Sequence, residues 1–437
     1  MTVSAAAFRL LAHETRGLLT RLARIRPFAL VESMLPAAGI SPIAQTGIER
    51  FLMGGRRALR AQARAYLGWL EVARRAGATP AQAQRRMALL RLTFNTVLGQ
   101  FDMFADALTQ RSEHETGVWL AGLDTVAADA LELPGGYYTA PPVICYLDRG
   151  VGAAIRRART RLPGGGENPV AIIRLPRERM VGGGIASSLV HEVGHQAAAL
   201  LDLVNSLRPI LRALQTTRSS ERVAWAMWER WLSEIVADMW SVSRVGVSST
   251  MGLMSVVSLP RAFVLRVSMD DPHPVPWVRV KLSCAIGQAL YPHPQWQLLA
   301  RVWDAMYPLG RLDPARLRLF ELLHSTTPAF ASVLVNHRPK SLRGRSLVEV
   351  LASPERQPAR LTAVFKKWRT APALARSVPP TLAFAVLGQA RANGELVPEV
   401  ESRLLRELLA FWALRSNLNM SAACAQQPRA AAAAQTV

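Results

Sequence analysis

The sequence predicts an α+β protein that is predominantly helical, and three observations carry that reading. Apolar residues recur at helical spacing through residues 1–130 and again through 210–415. Between these regions, Val143-Ile144-Cys145-Tyr146-Leu147 and Val170–Leu175 have the short, apolar character of buried strands. Glycine and proline mark the changes of texture at Leu133-Pro134-Gly135-Gly136, Pro163–Gly166 and Gly182–Gly184.

Along the chain, Leu10, Leu11, Leu18, Leu19 and Leu22 form one helical stripe, and Phe51, Leu59, Tyr66, Leu67 and Leu70 form another. Gly77 and Pro80 separate that second helix from one over 81–110, with Thr79 as its N-cap. Residues 149–161 read as a helix, so the expected order across 142–204 is strand, helix, strand, helix. The long apolar helix over 185–204 closes that series. Val245–Leu265 is apolar but carries four serines, a threonine, Pro260 and Arg261, and reads as a buried helix pair rather than a membrane span. Prolines near 271–276, 292–294, 327–328 and 379–380 are expected to break the remaining helices. The resulting division is 1–133, a basic helical region; 134–285, a mixed core; 286–417, a C-terminal helical region; and 418–437, an alanine-rich tail expected to be disordered.

Composition narrows the function classes. With 437 residues, 50% apolar and 19% charged, the chain can bury a large core. The net charge is +22, and 49 of the 53 basic residues are arginines. A bias that broad is not direct evidence for nucleic-acid binding. Residues 1–100, however, hold 15 arginines against Glu14, Glu32, Glu49 and Glu71. Such a region suits a solvated helical face, an anionic surface or an acidic partner. Cys145, Cys284 and Cys424 are far apart with no CxxC, which excludes a disulfide framework and fits a reducing, cytoplasmic setting, with peripheral membrane association left open. No signal peptide, transmembrane segment or nucleic-acid motif is evident. Gly182–Gly184 lacks the Lys-Ser/Thr of a P-loop, and no Gly-x-Ser-x-Gly is present.

The chemistry concentrates in His191-Glu192-Val193-Gly194-His195, an HExxH within the 185–204 helix. Residues four apart share a helix face, so both imidazoles can meet one zinc ion, with Glu192 beside them as general base. One zinc per chain is expected. A third ligand is needed. Ala198 and Leu201 stand where the metzincin pattern requires glycine and histidine. Asp202 lies roughly 10 Å further along the helix at ~1.5 Å per residue, too far to ligate, which leaves it to orient a neighbour. Glu234 and Asp238, four apart in the apolar stretch WLSEIVADMW, are the better pair. Acids in such a setting need a partner. Glu234 is the candidate ligand, and Asp238 the acceptor for the second ring nitrogen of a ligating histidine.

HExxH followed by ExxxD on a second helix resembles the gluzincin metallopeptidases, which include thermolysin and the CAAX-prenyl-protease type. The resemblance covers about 170–240, with 38 residues between the motifs. It implies a zincin-like core with an active-site helix, a glutamate helix and a small sheet, flanked by helical regions, and a zinc-dependent peptidase acting on a peptide or protein substrate. His191, His195 and Glu234 would bind zinc, Glu192 would be the base and Asp238 would support a ligand. Val170–Leu175, with Ile172, Ile173 and Arg174, would be the edge strand that pairs with substrate. Asp271-Pro272-His273-Pro274 and the downstream Arg279 are similar to a segment of some gluzincins; His273 would donate to the oxyanion, or else cap a loop. Tyr137 and Tyr138 are further oxyanion candidates. The N-terminal helices match no gluzincin segment, and the transmembrane helices of the prenyl-protease type are absent. Trp225, Trp228 and Trp231 line an apolar pocket or, by the simpler reading, pack between the two ligand helices. The alternative function is a catalytically inactive binding or scaffold protein of the same fold, recruiting an anionic partner (membrane surface or nucleic acid) through its arginine-rich N-terminal helices.

Overall fold

The computed structural model describes residues 2–27, 34–150, 152–162, 166–177, 183–310 and 312–426. The described chain is mostly helical with one small sheet. Three long helices come first: α1 (Val3–Arg24), α2 (Pro42–Arg75) and α3 (Pro80–Thr109), followed by α4 (His114–Leu131). The strands are β1 (Val143–Asp148), β2 (Ala154–Arg156) and β3 (Ala171–Pro176). Then come α5 (Gly183–Leu200), α6 (Leu203–Thr217), α7 (Arg222–Arg230), α8 (Leu232–Val245), α9 (Val247–Val257), the single turn α10 (Arg261–Val264) and α11 (Pro276–Leu290). The chain continues through α12 (Pro294–Met306), α13 (Pro314–Val335), α14 (Leu347–Leu351), α15 (Pro358–Thr370), α16 (Pro380–Ala392) and α17 (Pro398–Gln426). No helix among the described residues is long and apolar enough to cross a membrane. Thr79 caps α3 as expected, in a reciprocal box with Gln82.

The sheet has the order β1-β3-β2, with β1 parallel and β2 antiparallel to β3. Both faces of β1 and β3 are covered over most of their length, which is why those two strands read as apolar runs. Val143, Cys145, Leu147, Ala171, Ile173 and Leu175 point into the core shared with α4, α5 and the later helices. Ile144 and Ile172, the alternate positions, point into a second core built by α1, α2 and α3. The first core extends without interruption into α11–α17, and the expected boundary after residue 285 falls inside α11.

The outer edge of β1 is sealed by side chains. Gln110 donates to the Leu147 carbonyl at 2.7 Å and accepts from its N–H at 2.8 Å, imitating a strand. Asp124 accepts the Cys145 N–H at 2.7 Å, and Arg111 donates to the Cys145 carbonyl at 2.7 Å. Arg111, fully buried, also holds Asp124 through two nitrogens at 2.8 and 3.2 Å. β2 therefore provides the one edge of the sheet open to a further strand among the described residues.

Several expectations are corrected. Among the described residues of 149–161 there is no helix; β2 and a turn stand there. Non-local bonds take the segment's backbone groups: Ala158 N–H donates to Gln196, and Asn168 donates to the carbonyls of Arg156 and Arg157. Pro328 does not break α13, whose Phe320, Leu323, Phe330 and Leu334 are buried and hold it in place. The tail is helical to Gln426 in α17, anchored where Asn417 donates to the Ala37 carbonyl at 3.0 Å; residues 427–437 lie outside the described residues, as do the expected breaks at Pro163–Gly165 and Gly182.

Asp124→Ala is expected to cost about 3–5 kcal/mol, because it strands the buried Arg111 cation and reopens the β1 edge. The measurement is the shift in denaturant midpoint; a loss of a few tenths of a kcal/mol would contradict this account of the edge.

Candidate metal centre

The site stands where α5 crosses α8. Gly194 makes that crossing close: a Cβ there would lie 2.8 Å from Ala237 Cα, 2.9 Å from Ala237 O and 3.0 Å from Trp240 Cβ. Backbone meets backbone, so side chains one turn on either side of the contact face each other across a short gap. His191 and His195 project from α5, with ring centroids 4.9 Å apart and planes at 88°. Glu234 projects from the first turn of α8 between them. Its Oε2 lies 3.2 Å from His191 Nε2 and its Oε1 lies 3.4 Å from His195 Nε2.

His191, His195 and Glu234 each offer one ligand atom, all within 4.8 Å of one another, so the three could hold a metal ion. The donor set, two imidazole nitrogens and a carboxylate, suits a divalent transition metal. The supporting contacts fit the same reading. His191 Nδ1 meets Asp238 Oδ1 at 2.8 Å, which fixes the tautomer with Nε2 turned to the ligand cluster. Asp238 is itself gripped by Arg279, Nε at 2.7 Å and Nη2 at 2.9 Å. His195 Nδ1 has a longer contact, 3.5 Å, with Ser233 Oγ.

These groups set one another's protonation. Burial opposes the charged form of His191, but Asp238 and Glu234 outweigh it and push the imidazole up to about 9. Burial and the neighbouring His191 push His195 down to about 4, leaving it neutral. Glu234 is held down to about 2, and Asp238 is held well below the usual carboxylate range, despite burial, by His191 and Arg279 together. Glu192 is shifted upward, chiefly by burial, against the opposing pull of His191. A partly desolvated carboxylate is a better proton acceptor near neutral pH than an exposed one.

The sequence-predicted residues His191, Glu192, His195, Glu234, Asp238 and His273 come together here. His273 reaches the cluster from the loop before α11: its Nε2 is 3.3 Å from Glu234 Oε2, and Asp271 holds its Nδ1 at 2.8 Å. Two hollows, of about 240 and 360 Å³, share Ala153, His191, Glu192 and His273. One continues over Ser187, Ser249, Leu253 and Val256; the other runs along Ala154 and Ile155 of β2.

Other candidates lie elsewhere. Ile172, Ile173 and Arg174 are in the central strand, paired with β1 on one side and β2 on the other, so the edge-strand assignment fails for them and the edge on the cleft is β2. The β-rich character of 170–175 comes from double burial rather than from an edge. Tyr138 donates to the Leu131 carbonyl and Tyr137 packs with Arg343 and Arg345, away from the cluster. Asp202 binds Asn205. The tryptophans are core, but their partner is α13: Trp228 stacks on Phe330 at 4.9 Å and donates to Thr326. Sequence reasoning missed β2, whose three residues carry no strand signal, and missed Gly194 as the contact that sets the helix spacing. It also passed over Leu253 and Val256 as cleft residues. Comparison with known proteins brings no match: no family model, curated protein or solved structure aligns with the chain.

Gly194→Ala is expected to force α8 off α5, losing about 1–3 kcal/mol of stability and weakening metal binding at least tenfold; thermal melts and metal titration read both, and unchanged metal affinity would refute the role given to this contact. A cation at His191 Nε2 must displace a proton bound up to about pH 9. Affinity for a divalent ion is therefore expected to rise with pH through the range below 9, with proton release visible as a buffer-dependent heat in calorimetry.

Proposed function

We propose that the chain is a zinc-dependent peptidase with a zincin-like core of gluzincin type. The observation that carries this reading is the convergence of His191, His195 and Glu234 beside the buried carboxylate of Glu192, at a cleft bordered by an open strand edge. The three converging groups would hold the zinc. When bound, zinc supplies Lewis acidity, which acidifies water and polarises a carbonyl oxygen.

The remaining chemistry belongs to residues of the chain. An extended peptide adds to the free edge of β2, where Ala154 and Ile155 border the cleft, and its backbone direction is set by that pairing. Glu192 takes a proton from the attacking water and returns it to the leaving amine; burial raises its basicity for that task. His273, with Nδ1–H held by Asp271, turns Nε2 into the cleft; in its doubly protonated form the Nε2–H donates to the oxygen on which charge develops. Arg279 keeps Asp238 ionised, and Asp238 keeps His191 in the tautomer that presents Nε2.

Zinc content near one per chain is expected in the purified protein, with loss in both His195→Ala and Glu234→Ala. Glu192→Gln should retain zinc and fold while lowering peptide hydrolysis by about 10²–10⁴. The test is metal analysis beside turnover on a mixed peptide pool. Hydrolysis surviving in Glu192→Gln would remove the mechanism, and zinc retained in Glu234→Ala would remove the ligand set.

A further inference from the structure

The hairpin of α2 and α3 carries a surface that the cleft chemistry does not use. The hairpin, residues 42–109, contains ten arginines and four acids, Glu49, Glu71, Asp102 and Asp106, and only Glu71 lies between Arg50 and Arg91. On α2, Arg57, Arg64 and Arg75 are spaced by seven and eleven residues, which returns each to the same stripe of the helix. All three are exposed, and among the described residues none is in a salt bridge; Glu71, seven residues after Arg64 and four before Arg75, is the acid on the same stripe. Val72, 68% exposed, borders that stripe. On α3, Arg85, Leu89 and Leu92 lie at i, i+4 and i+7 and share the outer face; Leu89 is 61% and Leu92 64% exposed. The two helices meet along their flanks, beside these stripes, where the Arg86 guanidinium sits 4.1 Å over the ring of Trp69.

The surface thus carries exposed guanidinium groups, Arg57, Arg64 and Arg75 on α2 and Arg85 on α3, in excess over Glu71, with Val72, Leu89 and Leu92 exposed on the same two helices. A phosphodiester backbone would use the cations but has no use for Val72, Leu89 and Leu92. The boundary of an anionic bilayer uses both: phosphate headgroups meet the arginines, and the leucines enter the acyl border. We propose that this face of α2 and α3 docks the protein onto an anionic phospholipid surface. Charge complementarity selects the headgroup, and the exposed aliphatic residues select lipid over other polyanions. The docking is independent of the cleft, which is built by other elements.

The test is co-sedimentation of the full chain with vesicles of phosphatidylcholine alone and of phosphatidylcholine mixed with phosphatidylglycerol. Binding to the mixed vesicles only is expected. It should weaken steeply as salt rises from 0.1 to 1 M, where the screening length falls from ~10 to ~3 Å. Arg57→Glu/Arg64→Glu/Arg75→Glu should abolish binding. Leu89→Ser/Leu92→Ser should weaken it about tenfold at unchanged charge. Thermal melts confirm the fold of each variant, and the corresponding arginine-to-glutamine set replaces any glutamate set that melts early. Wild-type affinity in the arginine variant, no binding to either vesicle, or unaltered binding in the leucine variant would each overturn the proposal. Tighter binding of polyuridylate than of mixed vesicles would overturn it in favour of a nucleic-acid surface.

Discussion

The candidate site depends on one contact, the backbone approach of α5 to α8 at Gly194 and Ala237. A helix pair separated by ordinary side chains has its axes 8–10 Å apart. Removing the side chain at the crossing brings the histidine and glutamate faces near enough for three ligand atoms to fall within 4.8 Å. The rest of the core supports that geometry. Trp240 packs under the crossing and donates to the Ala130 carbonyl, tying α8 to α4. Arg279, reaching in from α11, fixes Asp238 from the far side. Each ligand is thereby held by an element other than its own, which is how a site keeps its shape without relying on a single loop.

Much of this was legible in the sequence because it is written in short-range periodicity. Spacing of four places His191 with His195 and Glu234 with Asp238, and an acid inside WLSEIVADMW declares a need for a partner. The long helices were equally plain, since their apolar stripes repeat over many turns. What escaped were features decided by distant partners. Residues 149–161 have a composition compatible with helix, yet Gln196 and Asn168 claim their backbone groups and leave a three-residue strand. The run at 170–175 shows that a strand is buried but not where it lies in the sheet; its central position depends on β2, which has no signal of its own. Pro328 shows the converse, a local breaker overruled by the packing of Phe320 and Phe330. His273 was visible only as part of a proline-bounded segment, and its approach to Glu234 depends on Asp271 and on the start of α11.

The charge of the molecule divides along the same lines as its cores. Around the candidate metal centre, charges are largely buried and mutually compensated, so their effect is confined to protonation and side-chain orientation. On α2 and α3 they are mostly exposed and predominantly positive, ten arginines against four acids, so their effect extends into solvent over a screening length. The sheet stands between these two environments, one face in each core.

The asymmetry of the sheet edges has a colloidal consequence. A sheet grows into fibres by adding strands at its margins. Here one margin is already occupied by the amide of Gln110 and by the Arg111–Asp124 pair, which saturate the groups a foreign strand would need. The other margin is only three residues long, enough to align a short extended segment and too short to template a second copy of the sheet. An open margin is thus compatible with a high working concentration of the folded chain, because self-association through it gains few hydrogen bonds and cannot propagate past the sealed side.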